Sequence, residues 1–347
     1  MIIFGIETSC DETAASIVED GVNEICNVVS SSKEFHEKTG GIVPEIAARK
    51  QVEAITPVIK ECFEAYKKKK GYKKLEDCYK DIDAVAVTVG PGLIGSLIVG
   101  VEAAKALSVF LKKPIIPVNH LIGHIYANFL NPSENEINKI DFPAIALLVS
   151  GGHTDIVYIK NHGDMGYLGG TLDDAVGESF DKVARMLGLS KYLGGVLLSN
   201  KASECEVSTA KGLLPRPMID QDNFDFSFSG LKTATKRLIE TGEHRVASIA
   251  REFEDAVVEV LVKKTIKAVE KYNVKTLLLG GGVSANTTLR EKILEECEKR
   301  KISVFVPPLR LCTDNAVYIA SAAYFNAKKE NDVKDIVPDP SLGIMDN

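Results

Sequence analysis

Residues 276–286 read TLLLGGGVSAN, a short apolar run that stops at three consecutive glycines. An apolar run of strand length that ends at glycine and leads into a helical pattern predicts a strand, a turn and a helix. We expect that helix at about 286–299, where Thr288 and Glu291 have capping-box spacing, and another strand at 303–306. Glycines at a strand end let backbone N–H groups approach an anion, so the stretch also predicts nucleotide binding.

The first half of the chain repeats this order of elements. An apolar, β-branched run at 84–88 is interrupted by Gly-Pro-Gly at 90–92, followed by a helical pattern at 96–111 and a strand at 115–118. The repetition predicts α/β organisation in two duplicated halves. Further strands are expected at 2–6, 14–19, 144–149, 156–159 and near 166–168, and further helices at 44–66 and 173–187.

Each half also places a polar loop between strands, at 8–13 and at 150–154. A chain of 347 residues is long enough for two domains. We therefore expect a first α/β domain that consists of residues 1–140 and of a helix near the C-terminus, at about 317–330. The second α/β domain is expected over 141–316, with a cleft between the two.

Composition indicates an ordinary globular protein of the cytoplasm. Hydrophobic residues make up 45% and charged residues 26% of the chain. The seven cysteines form no CxxC pair, which is typical of reduced thiols. The apolar start at 1–6 has no basic region before it, so it is a first strand rather than a signal peptide. We expect no apolar run of about 18 residues and hence no membrane partner.

Net charge is −6, which argues against a broad basic surface for nucleic acid. The strongest basic run is Lys67 to Lys70, followed by Lys73 and Lys74. Two interpretations stay open for it, a solvated helix end and a contact with phosphate that salt would weaken.

His120 and His124 are the first candidates for chemistry. Asn119 is a suitable helix N-cap, and two imidazoles at i and i+4 then share one helix face, which suits two ligands of one metal. The same spacing also occurs without a metal. Asp314 is the best third ligand, although it could instead cap the following helix. Leu121 stands where a zinc peptidase has its glutamate, which argues against peptidase activity.

Acidic residues form two further groups. Asp11 and Glu12 lie in the first polar loop, where carboxylates could order a metal-bound phosphate or accept a proton. Asp174, Glu178 and Asp181 are spaced i, i+4 and i+7, which predicts one acidic helix face that needs a cation or sugar hydroxyls. A plain polar loop and a solvated face are the alternatives.

Taken together, these stretches resemble the bacterial TsaD (Gcp) family of tRNA N6-adenosine threonylcarbamoyltransferases. The resemblance extends in order over nearly the whole chain. It covers residues 6–13, 40–45, 90–97, 119–124, 148–154, 174–181, 225–233, 281–286 and 307–316.

The resemblance implies the two-domain fold of actin, Hsp70 and sugar kinases. It implies transfer of the threonylcarbamoyl group from threonylcarbamoyl-AMP to N6 of the adenosine next to the anticodon, in tRNAs that read codons starting with A, with release of AMP. Implied partners are tRNA, a shorter TsaB-like paralogue, a TsaE-like ATPase and a separate synthase of the adenylate.

The resemblance also assigns residues. One divalent ion per subunit, iron (Fe²⁺) or zinc (Zn²⁺), is expected on His120, His124 and Asp314. We expect Asp11 to take the proton of the attacking amine, with Glu12 behind it. The adenylate is expected at Val149, Ser150, Gly151, Gly152, Asp181, Gly195 and Asn286.

The chain departs from the family pattern at some positions. Segment 191–199 lacks two prolines and an acidic residue that the family usually has there, and Gln51 replaces a usual histidine. Leu148 replaces a tyrosine of the archaeal and eukaryotic relatives, and the lysine-rich 67–74 has the character of an insertion.

The alternative functions are a small-molecule kinase of the same fold, which would not need the histidine pair, and a non-catalytic scaffold subunit of the tRNA-modifying complex.

Overall fold

The computed structural model describes residues 1–131, 140–326 and 332–346. The chain divides into two compact units, a first unit of Met1–Lys139 with Pro308–Asn347 and a second unit of Ile140–Pro307. Each unit contains one five-stranded sheet. The domain limits expected from the sequence stay a prediction, and residues 327–330 of the expected C-terminal helix lie outside the described residues.

The strands are β1 (Ile2–Glu7), β2 (Glu12–Glu19), β3 (Asn23–Ser31), β4 (Ala84–Gly90), β5 (Ile115–Asn119), β6 (Ala144–Val149), β7 (Thr154–Asn161), β8 (Asp164–Gly170), β9 (Thr276–Gly280) and β10 (Ser303–Phe305). The helices are α1 (Lys33–Thr39), α2 (Pro44–Lys70), α3 (Leu75–Asp81), α4 (Ile94–Leu111), α5 (His120–Tyr126), α6 (Val176–Met186), α7 (Gly195–Ser203), α8 (Ser229–Thr241), α9 (Val246–Lys271), α10 (Thr287–Glu298) and α11 (Val317–Asn326).

The two sheets have the same topology. Their strand orders are β3-β2-β1-β4-β5 and β10-β9-β6-β7-β8, so β1 and β6 are the central strands. Each central strand pairs antiparallel with the strand that follows it, β2 or β7. Each also pairs parallel with a strand that returns after a helical crossover, β4 or β9. This correspondence confirms the predicted duplication of one α/β arrangement.

Alternation along β1 directs its side chains to two different layers of the first unit. Phe4 and Ile6 belong to the core cluster that α2 and α4 cover. Because successive strand residues point to opposite faces, Ile3, Gly5 and Glu7 face the other layer, where α11 packs on β1. A Cβ at Gly5 would lie 2.6 Å from the carbonyl oxygen of Ala316, so glycine there permits the close approach of the chain that leads into α11.

Helix α4 corrects the expectation that the chain has no run long enough to cross a membrane. Its 18 residues have a mean hydropathy of 1.7, and 33% of them are buried. One such helix is weak evidence for a membrane span, because core helices of other proteins have the same length and composition. Here α4 packs against α2 and β4, and its Lys105 pairs with Glu102 at 2.9 Å.

Several local predictions are wrong or incomplete. The elements β3, α1, α3, α8 and α9 were not predicted from the sequence, and nothing was assigned between 190 and 225, where α7 lies. The expected capping box on α10 does not form. Asn286 is the N-cap, its Oδ1 accepting from the Leu289 N–H at 2.8 Å, and the Thr288 hydroxyl donates to Glu254 instead.

Candidate functional site

Helix α5 carries the two candidate metal-binding histidines, His120 and His124, of the first unit. Strand β5 ends at Asn119, whose Oδ1 accepts a hydrogen bond from the Leu121 N–H at 2.9 Å and caps the helix. His120 and His124 follow on one face, with ring centroids 4.6 Å apart, and both are buried. The predicted helix, its cap and the shared face of the two imidazoles are confirmed.

Asp314 lies beside both imidazoles, although it is far from them in sequence. Its Oδ1 is 3.6 Å from Nε2 of His120 and 3.4 Å from Nε2 of His124. One ligand atom from each of the three residues fits within 4.8 Å. The capping contact at the start of α11 comes from Asn315, whose Oδ1 accepts from the Val317 N–H at 3.0 Å. Asp314 is therefore directed at the histidines rather than at the helix end.

Glu7 is a further partner of this cluster, and this role was not predicted from the sequence. Its Oε2 lies 3.0 Å from Nδ1 of His120 and also accepts from the Thr88 hydroxyl at 2.5 Å. Because a carboxylate can only accept, Nδ1 of His120 carries a proton, and Nε2 is the nitrogen that faces Asp314. The available signal was the alternation of β1, which puts Glu7 on the face opposite Phe4 and Ile6.

Tyr318 closes the buried side of the cluster. Its ring centroid is 4.8 Å from that of His124, and its hydroxyl donates to Oδ1 of Asp314 at 3.4 Å. The Asn315 N–H donates to the same hydroxyl. A Cβ at Gly123 would lie 2.6 Å from Cδ2 of Tyr318, so only glycine lets α5 and α11 come this close.

The charges of the cluster are strongly coupled. Burial alone lowers the pKa of His120, but the negative charges of Glu7 and Asp314 outweigh it and raise that pKa to about 9. Burial lowers the pKa of His124. Burial would raise the pKa of Asp314, yet the charge of His120 and the hydrogen bond with His124 hold it well below its usual range. The buried carboxylates therefore make this a site for positive charge.

The three side chains fit a divalent transition metal. Two ligands that each lie 2.0–2.1 Å from a tetrahedral ion are about 3.3 Å apart, and the carboxylate–imidazole separations here are 3.4 and 3.6 Å. Two imidazoles and one carboxylate suit iron and zinc rather than calcium or magnesium. Three protein ligands also leave coordination positions for a substrate.

The acidic loop connects β1 to β2 in the same unit. Asp11 is buried, whereas Glu12 begins β2 and accepts from the Ser31 hydroxyl at 3.2 Å. Burial is the main cause that raises the pKa of Glu12 to about 10, followed by a hydrogen bond with Asp11 and the charge of Asp314. Burial, the hydrogen bond with Asp11 and the charge of Asp314 therefore all favour the protonated form of Glu12.

In the second unit, the structure brings the two glycine loops together. Ser150, Gly151 and Gly152 form a tight turn after Val149 and β6, closed by a hydrogen bond from the Ser150 N–H to the His153 carbonyl at 2.8 Å. Gly281 follows β9 with a φ of +86°, and a Cβ there would lie 2.4 Å from the Val149 carbonyl oxygen. The neighbouring parallel strands β6 and β9 thus end in turns whose backbones lie close together.

Asp181 and Gly195 also meet. The Gly195 N–H, at the start of α7, donates to Oδ1 of Asp181 at 2.9 Å. The Asn286 side chain is engaged elsewhere: its Nδ2 donates to Ser199 at 2.9 Å and to Glu254 at 2.7 Å. Ser199 lies in the divergent 191–199 segment, so that segment is joined to the start of α10 through Asn286.

The expectation of one acidic helix face over 174–181 is wrong. Helix α6 begins at Val176, so Asp174 precedes it. Lys182 lies 2.8 Å from both Asp174 and Glu178, and Lys232 lies 2.6 Å from Asp174. Lysine side chains, which the spacing argument ignored, neutralise these carboxylates, while Asp181 binds the backbone of α7.

Two sheets of identical topology, each with glycine turns at strand ends, define the class of proteins that includes actin, Hsp70 and the sugar kinases. Among solved structures, the chain is similar to Acidaminococcus fermentans (R)-2-hydroxyglutaryl-CoA dehydratase component A. The TM-score is 0.53 at 14% identity, over 95% of this chain and 100% of that chain. At that identity the likeness concerns the fold alone.

Sequence comparison is more specific. A family model described as "TsaD: tRNA N6-adenosine threonylcarbamoyltransferase" matches residues 23–321. A relative of that name from Persephonella marina is 47% identical, covering 96% of this chain and 93% of its own length. Another from Dehalococcoides mccartyi is 48% identical over 97% of this chain and 98% of its own length. The chain belongs to the tRNA N6-adenosine threonylcarbamoyltransferase (TsaD) family.

Proposed function

We propose that this chain transfers a threonylcarbamoyl group from threonylcarbamoyl-AMP to N6 of the adenosine next to the anticodon. The tRNAs would be those that read codons starting with A, and AMP would be released. The observation that carries the proposal is the match over 96% of the chain to a relative named for this transferase. The cluster of His120, His124 and Asp314, whose ligand atoms lie within 4.8 Å of one another, is the geometric support for the proposal.

His120, His124 and Asp314 would hold one divalent ion per subunit, iron (Fe²⁺) or zinc (Zn²⁺). Glu7 would orient His120, as carboxylates commonly do behind metal-binding histidines. When bound, such an ion is a Lewis acid that stabilises negative charge developing on phosphate or carbonyl oxygens.

Asp11 is the proposed base of the reaction. The adenosine N6 amine forms a bond to the carbamoyl carbon, the bond from that carbon to the AMP oxygen breaks, and the amine proton passes to Asp11. Glu12, whose pKa is raised to about 10, would donate a hydrogen bond to Asp11. A neutral neighbour of this kind orients the base without adding a second negative charge beside it.

The adenylate would be bound by residues of the second unit. In the turn that Ser150 begins, Gly151 and Gly152 would offer backbone N–H groups for phosphate, and a Cβ at either glycine would have open space around it. Asp181 and Gly195 would bind the nucleoside part of the adenylate. The hydrogen bond between them fixes their relative position. Val149, the last residue of β6, would position the turn that follows it. Asn286 would act indirectly, because its side chain joins Ser199 to the start of α10.

The proposed partners are tRNA, a TsaB-like paralogue, a TsaE-like ATPase and a separate synthase that supplies the adenylate. The proposed location is the cytoplasm, where tRNA and ATP are available. Each follows from family membership rather than from a feature of the described residues.

A reconstituted reaction tests the proposal. The chain is mixed with threonine, bicarbonate, ATP, the synthase, the two partner proteins and unmodified tRNA, and nucleosides are analysed by mass spectrometry. Appearance of N6-threonylcarbamoyladenosine only when the chain is present supports the transferase. No modified nucleoside with any partner set, together with ATP-dependent phosphorylation of a small molecule, would favour the kinase alternative.

A further inference from the structure

Gln51 binds the backbone of the acidic loop from inside the first unit. Its side chain projects from α2 and is 1% exposed. The Nε2 atom lies 3.3 Å from the carbonyl oxygen of Thr8, 2.9 Å from that of Cys10 and 3.1 Å from that of Glu12. One amide nitrogen is therefore surrounded by carbonyls from alternate residues of the loop.

The other carbonyls of the loop are bound by different elements. The Ser9 carbonyl accepts from the Leu93 N–H at 2.8 Å, and the Asp11 carbonyl accepts from the N–H of Ser32 at 2.9 Å. Every carbonyl from residue 8 to residue 12 thus has a donor, and Gln51 serves three of the five. The loop backbone is held from behind, which leaves the Asp11 and Glu12 side chains as its chemically active part.

The oxygen atom of the Gln51 side-chain amide lies in an unfavourable environment. Oε1 of Gln51 is buried, and it has no hydrogen-bond partner among the described residues. A buried acceptor without a donor destabilises a protein, and an apolar side chain of similar size would avoid that cost. Three surrounding oxygens also require that the NH₂ group, not the oxygen, faces the loop. The donor end is therefore the reason for a glutamine here.

We propose that Gln51 is a positioning residue of the transfer reaction, which sets the loop conformation that places Asp11. The inference rests on the proposed function in one respect, the assignment of Asp11 as the base. Gln51 acts through the loop backbone and is not a metal ligand. Displacement of a reacting group by about 1 Å can cost about 100-fold in rate, so a loop that loses the Gln51 amide donor should slow the chemical step.

Three variants separate positioning from simple destabilisation. Gln51→Met keeps the length of the side chain and removes the donor, Gln51→Glu directs oxygen at the three carbonyls, and Gln51→His restores one N–H donor. Gln221→Met, on an exposed turn of the second unit, is the matched control. Each protein is assayed with preformed threonylcarbamoyl-AMP, and its metal content and melting temperature are measured.

We expect kcat to fall about 10- to 100-fold in Gln51→Met and further in Gln51→Glu. KM for tRNA, KM for the adenylate and the metal content should stay close to those of the wild type. Gln51→His should recover part of kcat, and Gln221→Met should match the wild type. The inference is overturned if both donor-free variants keep the wild-type kcat, or if kcat across the set follows melting temperature rather than the presence of a donor.

Hydrogen exchange distinguishes this inference from the proposed function. Amides of residues 8–13 should exchange faster in Gln51→Met than in the wild type, whatever reaction the protein catalyses. If exchange is faster in Gln51→Met but the wild type modifies no tRNA, the proposed function is contradicted and the role of Gln51 in holding the loop is retained. If Gln51→Met shows unchanged exchange and normal turnover, only the role of Gln51 in holding the loop is contradicted.

Discussion

His120 Nδ1 lies 3.0 Å from Oε2 of Glu7, and this contact joins the first strand of the first sheet to the helix that carries both histidines. Glu7 is fully buried, so its charge is compensated by His120, by the Thr88 hydroxyl and by the Ser9 N–H. When the His120 imidazole is neutral, the contact selects the tautomer whose Nε2 lone pair faces Asp314. A buried carboxylate thus prepares an imidazole for metal binding.

Glu7→Gln should weaken metal binding by about 10- to 100-fold, because the amide no longer selects the His120 tautomer or strengthens its basicity. Competition with a chelator of known affinity measures the change. Glu53→Gln, an exposed carboxylate on α2, serves as the control and should bind metal like the wild type. Equal affinities for Glu7→Gln and the wild type would show that Glu7 has no role in the metal site.

Metal should stabilise the wild-type protein but not His124→Ala. A ligand that binds only the folded state at about 100 times its Kd adds about 2.7 kcal/mol of stability. Melting temperatures are compared with Fe²⁺ under anaerobic conditions, with Zn²⁺, and with chelator. A metal-dependent shift of the same size in His124→Ala would place the ion elsewhere.

Asp11→Ala should lower kcat with preformed threonylcarbamoyl-AMP by about 100- to 10,000-fold, the range typical of a lost general base. Adenylate binding and metal content should stay unchanged, because neither is assigned to Asp11. Rapid quenching with mass spectrometry measures the chemical step. Unchanged turnover with normal adenylate binding removes Asp11 from the mechanism.

Gly123→Ala should destabilise the first unit by about 1–3 kcal/mol. Alanine gains about 1 kcal/mol of helix propensity over glycine, but its Cβ would lie 2.6 Å from a ring carbon of Tyr318, which is completely buried and cannot move aside. Gly230→Ala is the matched control, since nothing lies within 4 Å of a Cβ there. Thermal unfolding should show a lower melting temperature for Gly123→Ala and an equal or higher one for Gly230→Ala.

Asp173→Asn should reduce stability near neutral pH and have no effect in strong acid. Burial opposes the charge of Asp173, but the hydroxyls of Ser227 and Ser229 and two backbone N–H groups at the start of α8 lower its pKa from 3.8 to about 2. A carboxyl whose pKa is lower in the folded state stabilises above its unfolded pKa, and loses that contribution as pH falls through the folded pKa.

The difference in unfolding free energy between wild type and Asp173→Asn should therefore be constant above about pH 4 and vanish near pH 2. Denaturant titrations from pH 2 to pH 7 measure it. A charge at a helix N-terminus contributes about 0.3–1 kcal/mol, which sets the expected plateau. A difference that grows toward acid pH would contradict the assignment.

Much of the fold could be predicted because several inner strands of the two sheets are short apolar runs, and two of them, β4 and β9, end at glycine. β4, β6 and β9 are entirely buried, and burial on both faces leaves a continuous apolar signal. β3 was missed because it is an edge strand with exposed and buried residues in irregular order. Segment 190–225 was missed because turns and polar contacts to α9, rather than periodicity, hold most of it.

The candidate site was predictable where the spacing along one helix determines geometry. Residues spaced i, i+4 on a helix lie on the same face, so the proximity of His120 and His124 can be predicted without tertiary information. Asp174 and Glu178 show the opposite case, since Lys182 and Lys232 neutralise them and the helix begins later than expected. The i, i+4 spacing of Glu178 and Lys182 could have shown that pair, but local spacing contains no information on Lys232, which reaches Asp174 from α8.

By itself, the amino-acid sequence determined the duplicated α/β organisation, the family and the histidine pair, because repeated strand–glycine–helix order and i, i+4 spacing are properties of the local chain. Only the tertiary structure decided that Glu7 stands behind His120, that Tyr318 packs on His124, and that Gln51 holds the acidic loop. These contacts join residues from separate elements, and their distances depend on how strands and helices pack.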